Sequence, residues 1–305
     1  MAVYSIKEVE TLTGIRAHTL RAWEQRHDLV TPRRSKTNVR YYLEEDVREL
    51  STIALLNRNG YRISQIAEMD RQERRRQAAE LTSLNVSPDT QLDLLTLSIV
   101  ELDEEKFSLI VDTNIEQRGF EETMMEVIYP FLDKLGVLYF TGSVSPAQEA
   151  FAGALIRQKI LAATDRLPAA GDARLPTFAL FLPTGDRQDL SVLFIRFLLK
   201  QRGFPVLYLG QQIAASDLAD VCRARKIDYL FTLLTNNYVE HPVGELVEDI
   251  LTACPDARLV VAGQQVKLHR LDRYDRVSTV AGLKELLAYV HELSTPADRN
   301  IAVAK

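Results

Sequence analysis

Cysteine is scarce in this chain: Cys222 and Cys254 are the only two. Neither has a histidine or another cysteine nearby at the spacing of a metal ligand set, so no metal site is assigned. Both read as buried thiols of a protein kept in a reducing compartment. Long apolar runs are also missing, and none approaches the ~20 residues needed to span a bilayer, so no membrane partner is expected. The opening MAVYSIKEVE lacks the apolar stretch of a secretory signal, and the expected location is the cytoplasm. The five histidines, His18, His27, His241, His269 and His291, are scattered. No nucleophile, acid or base clusters with them at useful spacing, so no catalytic residue is assigned and no enzyme is expected. A strong charge excess is absent too: the net charge is −5, which excludes a globally basic nucleic-acid binder.

That modest total hides an uneven spread. Residues 1–75 carry 14 basic and 11 acidic side chains, while the remainder carries 23 and 31. Between positions 16 and 40, seven basic residues face only Glu24 and Asp28. One short basic segment in an acidic protein points to a local contact with nucleic acid. With 305 residues, 46% hydrophobic and 26% charged, the chain is long enough for two or three domains with buried cores.

The basic segment lies in a recognisable pattern. In 5-SIKEVETLTGIRAHTLRAWEQRH-27, Ser5 and Glu8 form a capping box. Ile6, Val9 and Leu12 follow at helical spacing, and Thr13-Gly14 ends the helix. A second helix then carries Leu20, Trp23 and Glu24. Two short helices joined by a glycine turn are the mark of a helix-turn-helix. Arg16, His18, Thr19 and Arg21 sit near the start of the second helix, where such motifs touch base edges. Trp23 is expected in the core. In 29-LVTPRRSKTNVRYYLEEDV-47, two short extended pieces flank a polar turn, as in a β-hairpin wing. Its Arg33, Arg34, Lys36, Arg40 and Tyr41 would face the DNA backbone. Helices are expected at 43–59 and 63–69.

The stretch TLRAWEQRHDLVTPRRSKTNVRYYLEEDVREL resembles the winged helix-turn-helix of the MerR family of bacterial transcription regulators. The resemblance implies a double-stranded DNA operator as partner and two protomers on a roughly palindromic site. One departure is Asn38-Val39, where the family usually has Gly followed by Tyr or His.

Beyond residue 75 the text changes character. Residues 76–87 read as a linker, part of a charged run. Residues 88–167 read as a four-helix bundle, with helices near 88–101, 103–118, 120–138 and 145–165. Residues 175–294 alternate apolar runs with helical patterns. Strands are expected at 176–182, 205–209, 228–234, 258–262 and 277–280, with helices between. Near-continuous apolar strands are buried on both faces, so the expectation is a flavodoxin-like, doubly wound parallel sheet. Residues 295–305 read as a flexible tail. The fold class is therefore multi-domain, α and α/β.

A helical cap followed by a five-stranded α/β domain resembles the cobalamin-binding module of methionine synthase. It also resembles relatives of that module fused to MerR domains in light-responsive repressors. The stretches 129-YPFLDKLGVLYFTGSVSPAQEAFAGALIR-157 and 204-FPVLYLGQQIAASDL-218 carry the likeness. In that family the loop after the first strand reads Asp/Glu-x-His-x-x-Gly, with the histidine as the lower cobalt ligand and the acid orienting it. Here the loop 183-PTGDRQDLSVLF-194 places Asp186, Gln188 and Ser191 at those positions. After the fourth strand the family's Gly-Gly is Gly263-Gln264. Thr232 stands where a serine usually faces the cofactor's nucleotide tail. In the bundle, the family's Trp and Glu-His become Tyr139, Glu149 and Ala150. Four departures, Gln188, Ser191, Gln264 and Ala150, fall on one pocket. The expectation is a cobalamin-type fold without a bound cofactor, serving oligomerisation, a regulatory protein or another ligand. Two other readings stay open: a cobalamin-dependent, light-responsive repressor and a cobalamin-carrying enzyme subunit.

Overall fold

The chain is described here from a computed structural model. It describes residues 3–27, 29–34, 38–82, 88–168, 172–186, 189–235, 242–263 and 265–294. The chain forms two compact units, Met1–Ile156 and Arg157–Lys305.

The first unit begins with β1 (Val3–Ser5), a strand that was not expected from the sequence. It pairs antiparallel with β3 (Arg40–Leu43), and β3 pairs with β2 (Arg33–Arg34), giving a three-stranded sheet in the order β1-β3-β2. The helices α1 (Ile6–Thr13) and α2 (Ala17–His27) form the helix-turn-helix. The capping box is present: Glu8 N–H donates to Ser5 Oγ at 3.4 Å, and Ser5 N–H donates to Glu8 Oε2 at 2.5 Å. α3 (Glu44–Arg58) is the buried strut of this unit, with Val47, Leu50, Ile53, Leu55 and Leu56 each at most 1% exposed. α4 (Ile63–Glu68) follows. α5 (Arg71–Thr82) then continues into the expected linker, so residues 76–82 are helical. Its inner side is fixed by Arg74, which lies 2.7 Å from Glu49 of α3, both groups nearly buried. Residues 83–87 of that linker lie outside the described residues.

α6 (Pro88–Glu101) packs on both α3 and α7 (Glu104–Arg118). The third bundle helix, expected at 120–138, is not α-helical throughout. α8 (Phe120–Thr123) passes into a π-helical turn, Met124–Ile128, before α9 (Tyr129–Phe140). Pro130 has no N–H to give to the preceding turn, and a π-bulge absorbs the missing bond without ending the helix. α10 (Pro146–Asp165) completes the helical part. The division between units falls inside α10, before the expected bundle limit at 167.

The second unit is a parallel five-stranded sheet of β4 (Phe178–Pro183), β5 (Val206–Ile213), β6 (Tyr229–Leu233), β7 (Arg258–Ala262) and β8 (Val277–Val280). The order β5-β4-β6-β7-β8 is the flavodoxin-like one. Helices α11 (Leu190–Gln201), α12 (Ala215–Ala224), α13 (Val243–Ala253) and α15 (Leu283–Ser294) cover it, with a short α14 (Gln265–Leu268) after β7. Two apolar clusters flank the sheet: one joins Phe181, Leu230 and Val261 to α12 and α13, the other joins Leu180, Phe231 and Val260 to α11 and α15. Alternate residues of each strand thus feed opposite faces, as the apolar runs required. β5 extends four residues past the expected end. Its register against β4 shifts twice, at Leu180/Phe181 and at Phe181/Pro183. Gly210 at φ 96 and Gln212 at φ 60 accommodate this bulge. Residues 295–305, expected as a tail, lie outside the described residues. Among the described residues no helix is long and apolar enough to cross a membrane.

Candidate nucleic-acid interface and the carboxyl edge of the sheet

The turn between α1 and α2 is held by polar side chains of α1 itself. Gly14 adopts φ 68, and its N–H donates to Glu10 O at 2.8 Å. Thr13 Oγ1 donates to Val9 O and accepts from Ile15 N–H. Glu10 Oε2 then accepts from Ala17 N–H at 3.2 Å, capping α2 from outside. Fixing the turn fixes the direction of α2. Its one fully buried residue, Leu20, anchors the helix, and no acidic residue stands in its first turn. Arg16, His18 and Arg21 are exposed and Thr19 is half-buried. The result is a helix N-terminus, already favourable to anions, presenting two guanidinium groups, an imidazole and a hydroxyl to solvent.

The wing lies in the same unit. Arg33 and Arg34 are exposed, and Arg34 Nη1 donates to Asn38 Oδ1 at 2.9 Å. Asn38 has φ 64. Asparagine is one of the few residues that tolerate this region, so position 38 keeps a positive φ without the family's usual glycine. Lys36 lies outside the described residues. Arg40 and Tyr41 are half-buried. Arg40 faces inward in part: its Nε lies 3.3 Å from Glu24 Oε2. Tyr42 is fully buried and its hydroxyl donates to the other oxygen of Glu24. Burial, reinforced by Glu24, pushes the Tyr42 hydroxyl well above the usual tyrosine range. Glu24 therefore braces α2 against β3, a role that no periodicity in the sequence signals. Trp23, expected in the core, is half-buried instead; of the α2 residues only Leu20 is buried.

A second brace runs from the turn into the helical part. Arg58, at the end of α3, donates to Thr13 O at 2.7 Å. It crosses directly over Gly14, where a β-carbon would collide with its guanidinium. Its other terminal nitrogen pairs with Asp93 of α6. Asp93 also accepts from Lys134 of α9 at 2.7 Å.

In the second unit, the loop after β4 meets the ends of β5 and β6. Asp186 is fully buried. Its Oδ2 accepts from the Thr235 hydroxyl at 2.8 Å and from Thr235 N–H at 3.3 Å. Gln212 clamps the same loop, donating to Asp186 O at 3.0 Å and accepting from Gly185 N–H at 3.2 Å. Asp189, 4% exposed, pairs with Arg157 and accepts from the Tyr208 hydroxyl at 3.4 Å. Burial and the charge of Asp189 push Tyr208 up to about 12. Thr232 Oγ1, fully buried, donates across the sheet to Phe181 O at 3.0 Å. Gly263 at φ 108 lies against Leu234, where a β-carbon would sit 2.9 Å from the carbonyl carbon. Ser191 is half-buried in the first turn of α11.

The structure thus brings Asp186, Thr232 and Gly263 to one edge of the sheet. Gln188 and Gln264, expected beside them, lie outside the described residues. Tyr139, Glu149 and Ala150 belong to the first unit, and all three are exposed. Sequence reading missed Gln212, Thr235 and Arg157 as partners of this edge. They are remote in sequence from the loop they hold, and no local spacing announces them. Among the described residues, no group of three or more His, Cys, Asp or Glu could hold a metal ion.

Known proteins are similar to this chain in sequence. Residues 4–73 match the MerR HTH family regulatory protein model, and residues 91–163 match the B12 binding domain model. The HTH-type transcriptional repressor CarA of Myxococcus xanthus is 27% identical over 87% of this chain and 88% of its own length. The HTH-type transcriptional repressor CarH of the same organism is 26% identical over 74% and 77%. Among solved structures, the monomethylamine corrinoid protein of Methanosarcina barkeri shares 11% identity and a TM-score of 0.49 over 67% of this chain and 98% of that one. The chain therefore carries a MerR-type helix-turn-helix followed by a region of the B12-binding type.

Proposed function

We propose that this protein is a cytoplasmic, DNA-binding transcriptional regulator that works as a homodimer or higher homo-oligomer, and whose sheet domain assembles protomers or senses a partner or ligand without cobalamin. The DNA-binding half rests on the exposed Arg16, His18 and Arg21 around the N-terminus of α2, with Arg33 and Arg34 on the wing. Arginine presents paired donors that match guanine edges and phosphates. Lys36, Arg40 and Tyr41 complete the assigned surface. The repressors CarA and CarH support regulation of transcription as its purpose.

The observation that carries the cobalamin-free reading is the closure of the sheet edge. The residues present do not fit the cofactor's lower side. Gln188 offers an amide in place of an imidazole, a poor donor to cobalt. Asp186, which would steady that imidazole, has its carboxylate committed to Thr235 within the protein. The Thr232 hydroxyl is likewise spent on Phe181 O. Gln264 and Ser191 add side chains where the family has glycine, and on the upper face Tyr139 and Ala150 replace the family's Trp and His while Glu149 is kept.

A second reading, a cobalamin-dependent repressor, is favoured by the B12 binding domain match over residues 91–163. Titration of the purified chain with adenosylcobalamin in the dark separates the two. The expected outcome is no shift of the visible bands and no change in operator retention on a gel, in dark or light. Tight binding with a band shift would overturn the cobalamin-free reading and leave the DNA-binding one standing.

A further inference from the structure

Cys222 and Cys254, 32 positions apart, meet at the opposite edge of the sheet, where α12 and α13 end. The two sulfurs lie 2.6 Å apart, the Cys222 thiol directed at Cys254, and both are free thiols. They differ in access. Cys254 is 1% exposed, whereas Cys222 is half-buried. Cys254 is also fixed in place. Its sulfur approaches Leu218 O, and the guanidinium of Arg276 gathers the carbonyls of Leu251, Cys254, Pro255 and Ala257 around it.

We propose that Cys222 and Cys254 form a redox-modifiable dithiol, converted by hydrogen peroxide into a disulfide that joins α12 to α13. Sulfurs already facing each other at 2.6 Å have little distance left to close in forming a bond. In a reducing compartment the dithiol is the resting form, and such a disulfide is transient and signals oxidant. The order of events follows from access. The sulfur of Cys222, as thiolate, attacks one peroxide oxygen. The O–O bond breaks, Cys222 becomes a sulfenic acid, and the other oxygen leaves as hydroxide and takes up a proton to become water. The sulfur of Cys254 then attacks the Cys222 sulfur. The S–O bond breaks, and its oxygen leaves as a second water with the proton from Cys254. Two thiols are oxidised and one peroxide is reduced to two waters. Burial pushes the Cys254 thiol up to about 12, with the neighbouring Cys222 adding to it, which disfavours Cys254 as the thiol that meets peroxide first.

The test uses the full-length protein and hydrogen peroxide. Alkylation should capture two thiols per chain before treatment and none after. Peptide mapping should show one peptide pair joining Cys222 to Cys254 within a single chain, and dithiothreitol should restore both thiols. In Cys254→Ser, the sulfenic acid on Cys222 has no resolving partner, so it should accumulate and take up dimedone, whereas the wild type should not. Three results would each overturn the proposal: Cys222 advancing to sulfinic acid while Cys254 keeps its thiol, a disulfide between chains, or no reaction. The wild-type map decides the matter even if the serine variant folds poorly.

Discussion

The α2–wing surface and the carboxyl edge of the sheet are both rich in charge, and they treat it in opposite ways. On the first, Arg16, Arg21, Arg33 and Arg34 reach into solvent. On the second, Asp186 and Asp189 are buried and held by Thr235, Arg157 and Tyr208. An open array of donors can spend its hydrogen bonds on a partner. Asp186 Oδ2 is already taken up by the Thr235 hydroxyl and N–H, and a ligand would have to break those bonds first. Function should therefore be lost by mutating the first region and stability by mutating the second.

The largest effect is expected at Gly263. A side chain there meets the backbone of Leu234 at a positive φ, so Gly263→Ala should cost on the order of 3 kcal/mol, strain and overpacking combined. Chemical denaturation followed by circular dichroism reads this directly. Next comes Asp186→Ala, which empties a fully buried side-chain position and leaves the half-buried Thr235 hydroxyl and N–H without that acceptor. A loss of about 2–3 kcal/mol is expected, with operator affinity unchanged. If Asp186→Ala instead gained affinity for a corrinoid or lost operator binding, the edge would be functional and the contrast would fail.

In the open region the sign of the comparison reverses. Arg21→Ala should weaken operator binding by about 1–3 kcal/mol and leave the thermal midpoint almost untouched, because it is an exposed position. Glu24→Gln sharpens the comparison from within that region. Glu24 touches Arg40 and Tyr42, so its loss should reduce both stability and DNA affinity, each by on the order of 1 kcal/mol. A change in affinity alone would mean that Glu24 acts at the DNA surface and not as a brace. The smallest effect is expected for Arg33→Ala. As a backbone contact it should weaken binding evenly across operator sequences and reduce the salt slope of binding by about 1.

Much of this organisation was legible in the residues. The Ser5–Glu8 capping box, the glycine turn at position 14 and the alternation of apolar runs with helical patterns are local signals. Each acts within a few residues, so each can be read without knowing the rest of the chain. The bulge in β5 was less legible, because Gly210-Gln211-Gln212 carries no strand pattern and only pairing with β4 carries the strand through it. Trp23, expected in the core, is half-buried.

By itself, the sequence determined the element order, the parallel sheet's buried strands and the basic helix-turn-helix, because propensity, capping and hydrophobic period are short-range. It also determined which residues depart from the cobalamin pattern. Only the tertiary structure decided which partners hold the buried and braced charges. It brought Thr235 to Asp186, Arg157 and Tyr208 to Asp189, Glu24 to Arg40, and Arg58 to both Thr13 and Asp93. These partners are separated by 16 to 49 positions. The energy of a buried charge depends on which donors the fold delivers around it, and spacing along the chain does not encode that.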